Sequence, residues 1–277
     1  MKLLQRPVER PGVLVSTDPQ RAGWRYLSFA VHRLQPGESI AGGEAGVEAA
    51  IIVITGAATL RAGGASRTFE GRASVFEDLP WAAYAAPGDP WAIEAESVLD
   101  VAIATCPAEE GNPSRIVGPT DHPVEIRGGA NATRQITHVF DPPFAAGRIM
   151  VVEVITPSGN WSSYPPHRHD GRGGSNYLEE VYYYRIEPAS TGYAYQRVYT
   201  GDTELDQILL ARDGDLVLIP EGYHPVVAAP GANVYYLNAL AGPVRDMASP
   251  DDPDWKWVRE DWTGRAVKLP IEPKSCA

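Results

Sequence analysis

Apolar residues in this chain come in short runs, each stopped by glycine or proline. Trp24–Leu34 alternates in places and reads as a strand, and Gln35-Pro36-Gly37 reads as a turn. Ala49–Thr55 is a compact β-branched run ending at Gly56. Ala57–Arg61 then leads to Gly63-Gly64, the pattern of a hairpin. Arg72–Phe76, Tyr84–Pro87 and Val98–Thr105 complete the series. No long stretch carries the 3.6-residue period of an amphipathic helix, so the pattern predicts an all-β protein.

The second half repeats the plan. Arg148–Thr156 is followed by the turn Pro157-Ser158-Gly159, and Glu180–Ile186 takes the place of Ala49–Thr55. Tyr193–Tyr199 reads as the returning hairpin strand, and Asp213-Gly214-Asp215 with LVLIP matches Glu70-Gly71-Arg72 with ASVFEDLP. Ala85-Ala86-Pro87-Gly88 recurs as Ala228-Ala229-Pro230-Gly231, and Val234–Leu240 stands where Val98–Thr105 stood. A repeat of about half the chain implies two tandem β-barrels or sandwiches of one ancestry. We place the domains at 1–128 and 129–277, with 1–23 as an extended lead-in and the Pro, Gly and Asn-rich stretch 107–134 as the linker. The acidic, Trp-rich tail Asp251–Trp257 should dock on the barrels, because tryptophan is seldom left in water.

The length of 277 residues suits two moderate domains, and a hydrophobic content of 44% is ordinary for a globular chain. The net charge of −11 argues against nucleic-acid or anionic-membrane partners. It leaves room for a small anionic substrate beside a local arginine. Cys106 and Cys276 form neither a disulfide framework nor a thiolate site. The sequence has no apolar signal segment and no run of about 18 apolar residues, so the expectation is a soluble cytoplasmic protein.

Chemistry concentrates in Tyr164–Glu180 and in Gly222–Pro225. On a strand, His167 and His169 would point to the same face. Glu180 opens an apolar and aromatic strand, and His224 follows DGDLVLIP, a third strand signal. Three imidazoles and a carboxylate on adjacent strands suit a divalent Zn, Mn, Fe, Ni or Co ion. His32, His122 and His138 read as structural or surface residues. No histidine lies between Leu34 and Asp121, so the N-terminal copy cannot build this site.

The second half resembles a cupin. Gly159 and Trp161 precede His167-Arg168-His169, and the gap to Glu180 is longer than usual, which implies an inserted loop at 170–177. Gly214, Pro220, Gly222 and His224 fit the second cupin motif, although Ala228 replaces its asparagine. The implied fold is a tandem cupin, or bicupin, of two jelly-roll barrels with metal ligands only in the C-terminal one. More specifically, WSSYPPHRHD, YLEEVYYYR, QRVYT, GDLVLIPEGYHPV, YYLNALAGPVR and DPDW resemble the 5-deoxy-glucuronate isomerases of inositol catabolism. The 4-deoxy-threo-hexosulose-uronate ketol-isomerases share the layout and are the nearest competitor. A cupin dioxygenase and a non-catalytic sugar-binding cupin are the other readings.

The resemblance implies zinc, with Mn or Fe as alternatives, and a C1–C2 aldose–ketose shift on a small sugar acid. Strand alternation turns only one of Glu179 and Glu180 inward, and the cupin pattern selects Glu180. Tyr182 and Tyr184 share its face, and Tyr182 and Tyr236 are the acid–base candidates. Arg197 is the first candidate for the substrate carboxylate, with Arg245 and Arg172 as alternatives, and Asn238 could orient a hydroxyl. Arg168, lying between two inward histidines, should point away. An exposed sheet face would leave room for a homo-oligomer.

Overall fold

The computed structural model describes residues 2–8, 12–202 and 204–265, so Cys276 lies outside the described residues. Helix among them is confined to one turn at Pro19–Ala22 and three short 3₁₀ segments. In the N-terminal half, hydrogen bonding links Arg115–Val117, Ala82–Ala85, Val47–Ala62, Leu99–Pro107, Ser28–Leu34 and Gly12–Thr17 in that order. Ala65–Arg72 and Trp91–Ala95 pair with the far end of Val47–Ala62, and Ser39–Gly42 pairs with Trp91–Ala95. The long strand serves both groups because its register slips twice, at 53–55 and 56–58. Gly56 makes the bend: its φ is +101°, and a Cβ there would lie 2.3 Å from the Val98 carbonyl oxygen.

The C-terminal half builds a sheet in the order Leu4–Gln5, Leu216–Ile219, Glu179–Glu187, Asn233–Ala241, Ile149–Thr156, Arg134–His138 and Val124–Arg127. A second sheet of four strands comprises Trp161–Ser162, Val226–Ala228, Ala194–Tyr199 and Asp206–Ala211. The first residues of the chain therefore cross to the second half, where Leu4 and Gln5 pair with Val217 and Leu216. The stretch 107–134 also differs from a plain linker. Arg115–Val117 joins the N-terminal sheet, and Val124–Arg127 joins the C-terminal one. Its prolines and glycines cut it into short strands without removing it from the sheets. The strand expected at Arg72–Phe76 lies earlier, at Ala65–Arg72, because the following residues turn, with Asp78 N–H donating to Ser74 O at 3.0 Å.

The apolar runs are explained by burial on both faces. Ala50, Ile52 and Ile54 enter a core shared with Val181, Tyr183, Leu216, Leu218, Leu237 and Ala239 of the other half. Ala49, Ile51 and Val53 fill the N-terminal barrel instead. On Glu179–Glu187 the same alternation sends Tyr182, Tyr184 and Ile186 into the C-terminal barrel. Each fully buried Val, Leu or Ile contributes about 1.5–3 kcal/mol, so this shared core joins the two sheets firmly.

A reciprocal pair of carboxylates reinforces the join. Glu48 accepts from the N–H groups of Gly147 at 2.7 Å, Arg148 at 2.6 Å and Ile149 at 2.7 Å, and from the Tyr84 hydroxyl at 2.6 Å. Glu179 accepts from Arg25 N–H at 2.6 Å, Tyr26 at 2.9 Å and Leu27 at 2.8 Å, and from the Tyr177 hydroxyl at 3.1 Å. Each half thus grips a backbone segment of the other. Arg72 adds a buried bidentate bond to Glu153 at 2.7 and 2.8 Å, and the Tyr235 hydroxyl also donates to that carboxylate.

Candidate metal centre

The His-x-His pair does not sit on a continuous strand. His167 makes an isolated bridge with Asp251, and Asp170 makes another with Tyr177. Pro165 and Pro166 withhold two donors, so the segment cannot extend into a ladder. The C-terminal tail holds it instead: Asp252 N–H donates to Pro166 O at 2.7 Å and Arg168 N–H to Pro250 O at 3.3 Å. The tail therefore docks as expected, although Trp255 stays 41% exposed. Asp170 ties this loop to the next ligand, accepting from Arg168 Nε at 2.9 Å and from Gly222 N–H at 2.8 Å. Arg168 points away, over the Tyr223 ring.

His167, His169 and His224 converge, with one nitrogen of each lying within 4.8 Å of the others. Glu180 completes the group, its Oε2 lying 2.8 Å from His169 Nε2 and 3.2 Å from His224 Nε2. A tetrahedral ion bound at ~2.1 Å would set neighbouring donors ~3.4 Å apart, a small adjustment from this arrangement. The outer nitrogens are already engaged. His169 Nδ1 lies 3.0 Å from Leu178 O, and His224 Nδ1 lies 3.0 Å from Gly222 O. These contacts orient the rings and turn each Nε2 toward the centre, where it would serve a bound ion as ligand. His224 Nε2 is buried and makes no hydrogen bond. Two Nε2 atoms directed at one carboxylate, one of them without a partner, suit a cation shared by all four side chains.

The electrostatics agree with that donor set. Burial, helped by His224 and His169, pushes the His167 pKa well below its ordinary value, so its ring is neutral. Burial alone would raise Glu180, but His169 and His224 outweigh it and hold the carboxyl at about 2. Burial lowers the His169 pKa, and adjacent Glu180 more than reverses this, so the net shift is upward.

A cavity of about 140 Å³ opens on the cluster. Glu180, His167, Tyr182, Tyr236 and Asn238 line it, together with Arg134, His138, Asp141, Ser162 and Ser163. Tyr182 meets Ser163 Oγ at 3.0 Å, and Tyr236 hydrogen-bonds Ser162. Burial raises both phenol pKa values, so both hydroxyls keep their protons. Asn238 Nδ2 donates to Val181 O at 3.3 Å.

Two expected substrate contacts lie elsewhere. Tyr184 sits one layer deeper, stacked on Tyr182 and donating to Gln196 Oε1 at 2.8 Å. Arg197 faces the outer surface, because Gln196 and Val198 on either side of it turn inward. It pairs with Asp206 at 2.8 Å through both Nε and Nη2 and covers the Tyr199 ring. Of the alternatives, Arg245 is tied to the carbonyls of Ile149, Phe144 and Phe140, and Arg172 pairs with Glu221. Arg197 instead lines an outer groove of about 700 Å³ with Trp161, Tyr195, Ile208 and Trp255, and none of the four clustered side chains borders it.

Arg134 is a cavity residue that the sequence pattern did not single out, and His138, expected to be structural or at the surface, borders the same cavity. With Ile136 they occupy alternate positions of one strand, so they share a face. That alternation was available in ATRQITH, but the Pro and Gly-rich stretch before it masked the strand. His138 Nδ1 lies 2.6 Å from Asp141 Oδ2, and Asp141 Oδ1 is buried without a partner. No helix among the described residues is long and apolar enough to cross a membrane.

Comparison with known proteins gives a consistent result. Residues 3–258 match the KduI/IolB family. A 5-deoxy-glucuronate isomerase of Geobacillus thermodenitrificans is 39% identical over 253 residues, which is 90% of this chain and 92% of that protein. The enzyme of the same name from Geobacillus kaustophilus is 39% identical over 258 residues, covering 90% and 91%. An IolB-like protein from Salmonella typhimurium superposes with a TM-score of 0.89 at 33% identity, covering 93% of this chain and 99% of that one. Lactobacillus farciminis oxalate decarboxylase, at 12% identity, shares the fold alone, with a TM-score of 0.63 over 91% of this chain and 88% of its own. The expected bicupin architecture is the observed one.

Proposed function

The chain belongs to the KduI/IolB family, and from that premise we propose that it isomerises 5-deoxy-D-glucuronate to 5-dehydro-2-deoxy-D-gluconate in myo-inositol breakdown. The reading rests on the convergence of His167, His169, His224 and Glu180, of which His167 and Glu180 border a cavity of about 140 Å³. We assign these four as ligands of a divalent ion, zinc first and Mn or Fe next, and place the working site in the unit 129–277. The N-terminal unit, 1–128 apart from Leu4–Gln5 and Val124–Arg127, which pair into the C-terminal sheet, acts as a buttress. The setting is the cytoplasm, with a sugar acid as partner and neither nucleic acid nor membrane.

When bound, the ion supplies Lewis acidity that polarises the substrate carbonyl and makes the adjacent C–H more acidic. The chain supplies the proton traffic. The reaction moves one proton from C2 to C1 and one from the C2 oxygen to the C1 oxygen, with no net redox change. His138, with Nδ1 backed by Asp141 at 2.6 Å and Nε2 lying 3.5 Å from Glu125 Oε2, is the cavity imidazole we assign to take up and return the carbon-bound proton once substrate displaces that second contact. Tyr182 and Tyr236, kept protonated by burial, serve as donors to the oxygens. Asn238 fixes a hydroxyl.

The test is NMR of 5-deoxy-glucuronate with purified protein, before and after metal stripping. Conversion to the ketose that stops on stripping and returns with Zn or Mn is the expected result. Conversion unaffected by complete metal removal would refute the metal role. Absence of conversion by the metal-loaded protein would refute the substrate assignment, and the ketol-isomerase substrate would be tried next.

A further inference from the structure

We propose that Arg134 is the seat of the substrate carboxylate, so that it selects a sugar acid over a neutral sugar and sets the direction in which the substrate lies. This rests on the isomerase reading for the identity of the ligand, and on independent observations for the role of the residue. Arg134 is only 7% exposed, yet it borders the cavity shared with Glu180 and His167. Its known bonds all leave from one nitrogen: Nη1 donates to Ala132 O at 3.0 Å and to Tyr164 O at 3.3 Å. Among the described residues no carboxylate pairs with it. The other arginine on the cavity wall, Arg127, is already matched by Glu125 at 2.9 and 2.7 Å.

A guanidinium taken out of water without a counter-ion is costly, and proteins seldom leave one so. Here burial depresses its pKa, as expected for a cation still lacking its anion. The two bonds through Nη1 leave Nε and Nη2 available, and these form the planar edge that grips a carboxylate with two parallel bonds. Tyr164, whose carbonyl holds the guanidinium, precedes the His167 segment, so the anion seat and the histidine cluster are fixed to one loop. A cavity of about 140 Å³ is well below the ~300 Å³ of drug-sized sites and suits a single short acid chain. Such a chain would lie with its carboxylate at Arg134 and its carbonyl end toward Glu180.

The experiment uses the metal-loaded full chain and two probes that cannot isomerise: the C1-reduced alcohol of 5-deoxy-glucuronate, which keeps its carboxylate, and the primary amide of that acid. Titration calorimetry should give wild type an affinity about 10- to 100-fold higher for the acid than for the amide. Arg134→Met should bind both equally, and Arg134→Lys should keep part of the preference. Arg134→Gln, which retains a donor for Ala132 O, is the second variant should Arg134→Met fail to fold. Metal content and circular dichroism check each protein. A folded, metal-loaded Met or Gln variant that still prefers the acid as wild type does would overturn the proposal. So would a wild type that shows no preference or binds neither probe. If wild type prefers the acid but does not convert 5-deoxy-glucuronate in the NMR assay, the isomerase reading fails and the anion seat stands.

Discussion

Adjacent glutamates in this chain are predicted to fail in different ways. Glu179→Ala removes the acceptor for the N–H groups of Arg25, Tyr26 and Leu27 and for the Tyr177 hydroxyl. Water can replace the carboxylate at exposed Arg25, but Leu27 is fully buried and its N–H would be left without a partner. One stranded donor costs about 1–3 kcal/mol, and the lost charge-assisted bonds bring the total to about 3–5 kcal/mol. For a chain of this size that is a fall of roughly 10 °C in the unfolding midpoint. The centre itself keeps its four side chains, so metal content should stay at the wild-type level. Glu180→Ala should do the opposite. Metal affinity should drop by at least about 100-fold. The metal-free chain should lose less stability than Glu179→Ala does, because Glu180 is hydrogen-bonded to the His169 ring and, among the described residues, its carboxylate accepts from no backbone N–H. Urea unfolding of the stripped proteins and metal analysis of the loaded ones read the two effects separately. If Glu179→Ala unfolds within about 1 kcal/mol of wild type, the grip on residues 25–27 is not what joins the halves. If it empties the centre while Glu180→Ala stays loaded, the inward and outward assignments are reversed.

Two further outcomes follow. Burial raises the Asp215 pKa to about 6, against the pull of the Arg212 N–H and Arg6. The folded chain therefore holds this proton more tightly than the unfolded chain, and stability should fall by about 2 kcal/mol as pH rises from about 4 to about 6. Asp215→Asn should flatten that slope in urea titrations, and an unchanged slope would exclude Asp215 as its source. Arg197→Ala should leave kcat and KM within about twofold, since its charge is spent on exposed Asp206; a tenfold rise in KM by steady-state kinetics would return Arg197 to the substrate site.

The strands were legible wherever both faces of a run are buried, as in Ala49–Thr55 and Glu180–Ile186, because burial on both faces writes itself as unbroken apolar sequence. The histidine cluster was legible because few residue types gather metals and three of the six histidines stand in matching places. Arg197 went astray for want of register: alternation fixes which residues share a face but not which face is inward, and the inward set there is Gln196 and Val198. Arg134 was hidden, and His138 was read as structural or surface, because proline and glycine usually mark loops, and here they mark only the cuts between short strands. The crossing of Leu4–Gln5 to the other sheet carries no local signal, since pairing over that sequence distance depends on how the two halves pack.

The reciprocal grip of Glu48 and Glu179 bears on how such a duplicated chain can change. Each glutamate is followed by an inward-facing position, which is Ala49 in the first copy and Glu180 in the second. The grip involves both copies at once, so losing either glutamate weakens an assembly that both need. The next position answers only to its own barrel, and one copy can carry alanine there while the other carries the carboxylate we propose as a metal ligand. Mutational tolerance should therefore differ sharply between neighbours in the first copy, low at Glu48 and higher at Ala49 for small apolar replacements. A gene divided between the two halves would inherit the opposite burden, leaving each product with a glutamate whose remaining partner is the tyrosine of its own half, Tyr84 or Tyr177.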